Sequence, residues 1–145
     1  MENCNKKPTI VLVGVEPKIY EYLDTFIGNK FQLFPVDRVD IYDTLAAEMD
    51  IRLFLLDTDK KWLGTKEIMS KIKSNSDFHN IPVIGLALKK HFSEMEIHEK
   101  HLYEDFLLIP CSNEDLLTRI EVWTRTYGIM CEDKVAKKTF SLDEL

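Results

Sequence analysis

Five short apolar runs, separated by segments with helical spacing, constrain the fold of this chain more than any other feature. The runs are rich in β-branched and other large apolar residues, which is typical of strands buried on both faces of a parallel sheet. They cover residues 9–13, 31–36, 51–56, 81–88 and 106–109. Pro82 lies near the start of the fourth run, where a strand tolerates proline.

The segments between these runs predict helices, because their apolar residues recur at intervals of three and four. Pro17 opens the first predicted helix and Gly28 follows its last apolar residue, as expected of a helix start and a helix end. Strands that alternate with helices through short connections predict an α/β fold, a doubly wound five-stranded parallel sheet with helices on both faces. The predicted helices cover 17–27, about 41–49, 63–72, 91–102 and 113 to about 127.

Length and charge narrow the class of protein. A chain of 145 residues fits one ordinary domain. Its 19 basic and 25 acidic residues give a formal net charge of −6, which argues against a nucleic-acid-binding surface covering the domain. No apolar run approaches the roughly 18 residues of a membrane span. We expect a folded domain at 9–128, a disordered segment at 1–8 and a charged extension or linker at 129–145.

The three cysteines bear on compartment and metal binding. Cys4, Cys111 and Cys131 are far apart, and no C-x-x-C spacing occurs, so neither a disulfide framework nor a structural zinc site is indicated. Cysteines kept as thiols suit a reducing compartment. We therefore expect a cytoplasmic protein without a bound metal.

Functional residues of an open α/β sheet are expected where its strands end at their carboxyl termini. Three stretches at such positions carry a resemblance to the receiver domain of two-component response regulators: Leu55-Leu-Asp57, Asn80-Ile-Pro-Val-Ile84 and Asp105-Phe-Leu-Leu-Ile-Pro110. The resemblance covers residues 9–127. It implies a flavodoxin-like fold with strand order 2-1-3-4-5, and it places Asp57 at the phospho-acceptor position.

The supporting residues of such a receiver pocket are missing. The acidic pair that binds Mg²⁺ after the first strand is replaced by Gly14 and Val15, and Glu16 stands one place too far along the chain. Ala87 replaces the Ser or Thr after the fourth strand, and Ile109 replaces the Lys after the fifth. A lone carboxylate has nothing to offset transition-state charge. The sequence thus predicts a degenerate receiver, a non-enzymatic signalling module that acts by protein–protein interaction without phosphorylation.

Two alternatives remain open. Glu16 or Asp59 could supply the missing metal ligand, so that Asp57 is phosphorylated in the presence of Mg²⁺ and controls an output domain such as a diguanylate cyclase. Residues 139–145 resemble the lead-in to such a cyclase domain. A flavodoxin-like cofactor binder is the other alternative, but the loop after the first strand offers one glycine and no hydroxyl for a phosphate.

The resemblance also implies an interaction surface. In receivers, the face formed by helix four, strand five and helix five commonly makes the dimer or partner contact. On this chain that face includes Phe106, Trp123 and Tyr127. Phe106 matches the position where active receivers carry a rotating aromatic residue, but it lacks the hydroxyl of tyrosine, so a plain core role is the preferred interpretation. We expect a homodimer or a protein partner, with no nucleic acid and no membrane.

Overall fold

The computed structural model describes residues 7–36, 50–58 and 65–136, and of residues 65 and 126–136 it describes the backbone only. Five parallel strands form one sheet in the order β2-β1-β3-β4-β5. This architecture confirms the predicted fold class and strand order. The strands are β1 (Thr9–Val13), β2 (Gln32–Val36), β3 (Ile51–Asp57), β4 (Val83–Leu88) and β5 (Asp105–Ile109).

Five helices accompany these strands in the described residues. The predicted second helix at 41–49 lies outside that part of the chain. Pro17 occupies the first turn of the first helix, as predicted. The helices are α1 (Pro17–Ile27), α2 (Thr65–Ser74), α3 (Lys89–Glu94), α4 (Ile97–Lys100) and α5 (Asn113–Ala136).

The single helix predicted over 91–102 is wrong, because the chain forms two short helices there. Met95 and Glu96 have extended backbones, with ψ of 141° and 153°, which interrupts the helical hydrogen bonds. The Lys100 ammonium group lies 4.2 Å from the centre of the Phe92 ring. Eight residues of unbroken helix would separate these positions by about 12 Å along the axis. The break therefore allows a cation–π contact between the two helices.

Successive strand residues pack on opposite faces of the sheet, and this alternation builds two core layers. Ile10 and Leu12 pack with residues of α1 and α5 on one face. Val11 and Val13 pack with residues of α2 on the other. All five residues of β1 are buried, as expected of a central strand covered on both sides.

The ends of the predicted domain are described only in part. Residues 1–6 of the predicted disordered segment lie outside the described residues, whereas the Lys7 ammonium group donates to the Gly28 carbonyl at 2.9 Å. Helix α5 was predicted to end at about residue 127 but runs to Ala136. The division at residue 128 stays a prediction, because a helix can continue into an extension. Among the described residues, no helix has both the length and the apolar composition needed to cross a membrane.

Candidate functional site

Asp57 lies at the carboxyl end of β3, on the edge of the sheet where the strand ends converge. It is 4% exposed. Its Cα pairs with that of Leu86 on β4. Thr58 follows it and donates to the Leu86 carbonyl from both its backbone N–H and its hydroxyl, each at 3.0 Å. These hydrogen bonds fix the backbone next to Asp57 and so hold the carboxylate at the strand end.

A cavity of about 390 Å³ opens beside Asp57. It brings together four of the residues singled out from the sequence and adds three apolar ones. Among the described residues that line it, two carry carboxylates and five are aliphatic. These described lining residues are Glu16, Ile19, Asp57, Leu86, Ala87, Leu88 and Ile109.

Gly14 and Val15, two further residues that the resemblance assigns to the pocket, are not among the described residues that line this cavity. Gly14 has φ of 69°, in the left-handed region that favours glycine, and its N–H donates to the Val36 carbonyl at 3.1 Å. Val15 is half-buried and packs against the core layer that contains α1 and α5. Asp59 is outside the described residues. The turn after β1 is therefore shaped by a glycine, at a position where the receiver resemblance expects a metal-binding acid.

Apolar side chains form most of the described lining of this cavity. Ala87 is buried in its wall, and Ile109 lines it at a position where the receiver resemblance expects a lysine. Among the side chains that the structure describes, in residues 7–36, 50–58 and 66–125, no three from His, Cys, Asp or Glu are grouped so that they could hold a metal ion. The cavity thus combines two carboxylates with an aliphatic wall.

A second cavity of about 360 Å³ adjoins the first and was not anticipated from the sequence. Both are lined by Ile19, Leu86 and Ile109. Tyr22 lies beside the second cavity, and its hydroxyl donates to the Asn113 side chain at the start of α5. Ile19 and Tyr22 are three residues apart on α1 and so share one face of the helix. This spacing was the sequence pattern that could have indicated which side of α1 lines the second cavity. The other residues around this cavity are Lys18, Leu23, Leu107, Pro110, Cys111 and Leu116.

Cys111 is a half-buried free thiol in the wall of the second cavity. Burial raises the pKa of this thiol, and the nearby Asp115 carboxylate raises it further. Lys89 and Arg119 act in the opposite direction but do not outweigh these effects. The thiol is therefore held in its neutral, poorly nucleophilic form.

The three residues predicted for an interaction face occupy different environments. The Phe106 ring lies 4.8 Å from the Phe92 ring and 4.9 Å from the Tyr103 ring, between centres. Trp123 is half-buried and donates from its indole nitrogen to Asp105 at 2.9 Å. For Tyr127 only the backbone, within α5, is described. Their role in an interface stays a prediction.

Comparison with known proteins supports the fold. No family sequence model matches the chain, and no curated protein matches it either. A receiver-modulated diguanylate cyclase from Pelobacter carbinolicus is similar with a TM-score of 0.59 and 20% identity, over 86% of this chain and 98% of that chain. The signal receiver domain of a response regulator from Bacteroides fragilis has a TM-score of 0.67 and 18% identity, over 82% and 98%. An adenylate cyclase from Rhodopirellula baltica has a TM-score of 0.69 and 16% identity, over 91% and 98%.

These likenesses, all at low sequence identity, establish what the chain folds into. The protein has the fold of response regulator receiver domains, as the strand-end residues predicted. Fold alone does not assign function, which depends on the groups at the site. The function therefore depends on the groups that line the cavity, which include the carboxylates of Asp57 and Glu16 and the aliphatic side chains around them.

Proposed function

We propose that this chain is a receiver-like signalling module that acts through protein–protein contacts, without phosphorylation of Asp57. The observation that carries the proposal is the aliphatic wall of the cavity beside Asp57. Ala87 and Ile109 line that wall, and the receiver resemblance assigns them to the positions where active receivers carry a hydroxyl group and a lysine. The similarity to solved receiver structures supports a signalling role.

The physical reason lies in the charge of a phosphoryl group. Transfer to a carboxylate brings further negative charge beside Asp57, and enzymes of this chemistry offset it with metal ions and cationic side chains. Ala87 and Ile109 supply no such charge. An aliphatic wall also disfavours a desolvated dianion. Both effects raise the barrier to phosphoryl transfer at this site.

A protein–protein role is supported by two exposed apolar side chains on the helices that precede and follow β5 in the chain, and β5 is an edge strand of the sheet. Ile97 on α4 is 69% exposed, and Val122 on α5 is 48% exposed. Exposed apolar groups are common singly, but these two belong to the helices that the receiver resemblance assigns to the contact face. We propose that this β5 edge binds a second copy of the chain, an output domain or another cytoplasmic protein.

The test of the phosphorylation claim is the intact mass of the protein after incubation with acetyl phosphate, with and without Mg²⁺. We expect no phosphoryl adduct under either condition. Asp57→Asn serves as the matched control, since it keeps the shape of the side chain and removes the acceptor. A stoichiometric, Mg²⁺-dependent adduct that disappears in Asp57→Asn would overturn the proposal.

One observation favours a second candidate function, a phosphorylated receiver with a displaced metal ligand. Glu16 lines the same cavity as Asp57, and carboxylate oxygens suit Mg²⁺. Under this alternative, Glu16→Gln abolishes an Mg²⁺-dependent adduct that the unsubstituted protein forms. Under the proposed function, Glu16→Gln and the unsubstituted protein both remain unlabelled.

The contact surface is tested separately by the oligomeric state and by partner capture. Val122→Asp places a charge on the exposed part of α5, and Ile97→Asp does the same on α4. We expect either variant to weaken self-association or partner binding while the thermal unfolding temperature changes little, since both side chains are exposed. Glu114→Lys, an exposed change at the start of α5, controls for altered surface charge.

A further inference from the structure

The second cavity, of about 360 Å³, has the size and the lining of a site for a small apolar molecule. Pockets for small organic ligands have volumes of about 300 Å³ or more and are lined mostly by apolar side chains. Here the large aliphatic side chains of the described lining come from α1, β4, β5 and α5. They are Ile19, Leu23, Leu86, Leu107, Ile109 and Leu116. Because four elements contribute, the cavity is built by the packing of the domain and not by one loop.

The side chains around this cavity differ in depth. Leu23, Leu107 and Leu116 are almost fully buried and form its floor. Tyr22 is exposed and Cys111 is half-buried, so these two residues lie at its rim. A ligand can therefore enter from solvent beside Tyr22 and place its apolar part against the three leucines.

Charges of both signs surround the cavity. Among its described lining residues, Lys18 is the charged one. Asp115, Lys89 and Arg119 lie close enough to Cys111 to act on the pKa of its thiol. Asp115 raises this pKa, whereas Lys89 and Arg119 lower it. An ionic ligand would therefore meet charges of its own sign as well as of the opposite sign.

The cations near the cavity are also poorly suited to hold an anion. The Arg119 guanidinium is paired with the Asp105 carboxylate, with a nitrogen–oxygen distance of 3.0 Å. Lys18 and Lys89 are exposed, and ion pairs at exposed positions contribute little in water. A charged group placed deeper, against the leucines, would lose its hydration without gaining a partner. The lining thus favours a ligand without charge.

We propose that the second cavity binds a neutral small molecule of about ten non-hydrogen atoms with an aromatic or branched aliphatic body. The body packs against Leu23, Leu107 and Leu116. A neutral polar group of the ligand stays at the rim beside Tyr22, in contact with water. Removal of apolar surface from water supplies most of the binding free energy.

A ligand in this cavity would give the signalling module an input that does not involve Asp57. Neither Asp57 nor Glu16 is among the described residues that line the second cavity. Ligand binding and the absence of a phosphoryl adduct are measured separately. Either claim can therefore fail while the other stands.

Three probes that share a 4-methylphenyl body test the preference for a neutral ligand: 4-methylbenzyl alcohol, 4-methylbenzylamine and 4-methylbenzoate. Near pH 7 the first is neutral, the second is a cation and the third is an anion. Binding is followed by NMR of leucine methyl groups, with Leu23, Leu107 and Leu116 as reporters. We expect the alcohol to shift these signals at millimolar concentration and to bind about tenfold more tightly than either ion, because burial of an unpaired charge is unfavourable.

Three variants locate the site. Cys111→Trp fills the second cavity from its rim and should weaken binding of the alcohol at least about tenfold. Leu88→Trp is the matched control, because Leu88 lines the first cavity and is not among the described residues that line the second. Lys18→Met keeps an unbranched aliphatic side chain and removes the charge. Both Leu88→Trp and Lys18→Met should leave the affinity for the alcohol unchanged.

Protection of Cys111 from alkylation is a second measurement that needs no substitution in the cavity. In a Cys4→Ser, Cys131→Ser background, a saturating concentration of the alcohol should slow the reaction of Cys111 with iodoacetamide several-fold. This measurement decides the matter if Cys111→Trp does not fold. The proposal fails if either ion binds as tightly as the alcohol, if Leu88→Trp weakens the alcohol as much as Cys111→Trp does, or if the alcohol shifts no reporter or leaves the alkylation rate unchanged.

Discussion

Gly85 and Phe106 are paired across β4 and β5, and the Phe106 ring occupies the space that a side chain at residue 85 would need. A Cβ added to Gly85 would lie 2.7 Å from Cε1 of Phe106 and 2.8 Å from Cγ2 of Thr58. The rings of Phe92 and Tyr103 contact Phe106 from other sides. Phe106 is thus held by a three-ring cluster and cannot move away from Gly85 at low cost.

This packing predicts the effect of Gly85→Ala. The added methyl group overpacks the cluster, and we expect the free energy of unfolding to fall by about 1–3 kcal/mol. Urea denaturation measures this change in the free energy of unfolding. Phe106→Leu removes the clashing ring, so the double variant should lose less stability than the sum of the two single variants. Strict additivity would show that the Phe106 ring does not limit the space at residue 85.

A second prediction concerns Asp105, which connects β5 to α5. Its carboxylate accepts from the Trp123 indole at 2.9 Å and from the Arg119 guanidinium at 3.0 Å. The carboxylate also accepts from the Phe106 backbone N–H at 2.7 Å. Asp105→Ala removes the acceptor and leaves these donors without it, which should cost about 1–3 kcal/mol of unfolding free energy.

Glu121→Ala is the matched control for Asp105→Ala. Glu121 lies on α5 and is as exposed as Asp105, but its partner at 3.1 Å is the Lys30 ammonium group, which is about half exposed, whereas Asp105 also accepts from the half-buried Trp123 indole. Exposed ion pairs contribute about 1 kcal/mol or less, so this variant should lose little stability. Equal losses in the two variants, measured by thermal or urea unfolding, would contradict the role given to the Trp123–Asp105 hydrogen bond.

The sequence was sufficient for the fold because the buried strands leave strong local signals. The run at 9–13 is apolar on both faces, and β1 has those same bounds. Pro17 likewise marks the start of α1. The break at Met95 and Glu96 could not be foreseen, since both residues are compatible with a helix and the extended backbone there accompanies contacts distant in sequence.

The candidate site was predictable only in part. Asp57, Ala87 and Ile109 were expected at one edge of the sheet because each lies at the carboxyl end of a strand, and all three line one cavity. Glu16 was assigned a position too far along the chain, yet it lines the same cavity. The second cavity depends on how α1 packs against β5, which involves residues about 90 positions apart in the sequence, such as Ile19 and Ile109. No local pattern encodes such packing.

A third prediction follows from the pKa of Cys111, which burial and Asp115 raise above that of an ordinary thiol. Only the thiolate reacts rapidly with iodoacetamide. In a Cys4→Ser, Cys131→Ser background, the folded protein should therefore be alkylated more slowly than the unfolded chain near pH 8. The rate should keep rising at pH values where the reaction of the unfolded chain has levelled off.

The control for this third prediction is Asp115→Asn, which removes one of the two causes of the raised pKa. The pH profile of Cys111 alkylation should shift toward lower pH in this variant. The shift should be partial, because burial is the larger cause and remains. An unchanged profile would exclude Asp115 as a contributor, and a folded-state profile that matches the unfolded chain would contradict the raised pKa itself.

The last prediction concerns restoring the missing groups of the pocket. Ala87→Thr and Ile109→Lys place a hydroxyl and a cation in the cavity that contains Asp57 and Glu16. Each group of this kind that stabilises a transition state is worth roughly 100-fold in rate. We expect this double variant to form an Mg²⁺-dependent phosphoryl adduct with acetyl phosphate, detected by intact mass, where the unsubstituted protein forms none. Adding Asp57→Asn should abolish the adduct, and adding Glu16→Gln should weaken its dependence on Mg²⁺. The folded state of the double variant is checked by circular dichroism. If the folded double variant forms no adduct, then the side chains at residues 87 and 109 are not what prevents phosphorylation of Asp57.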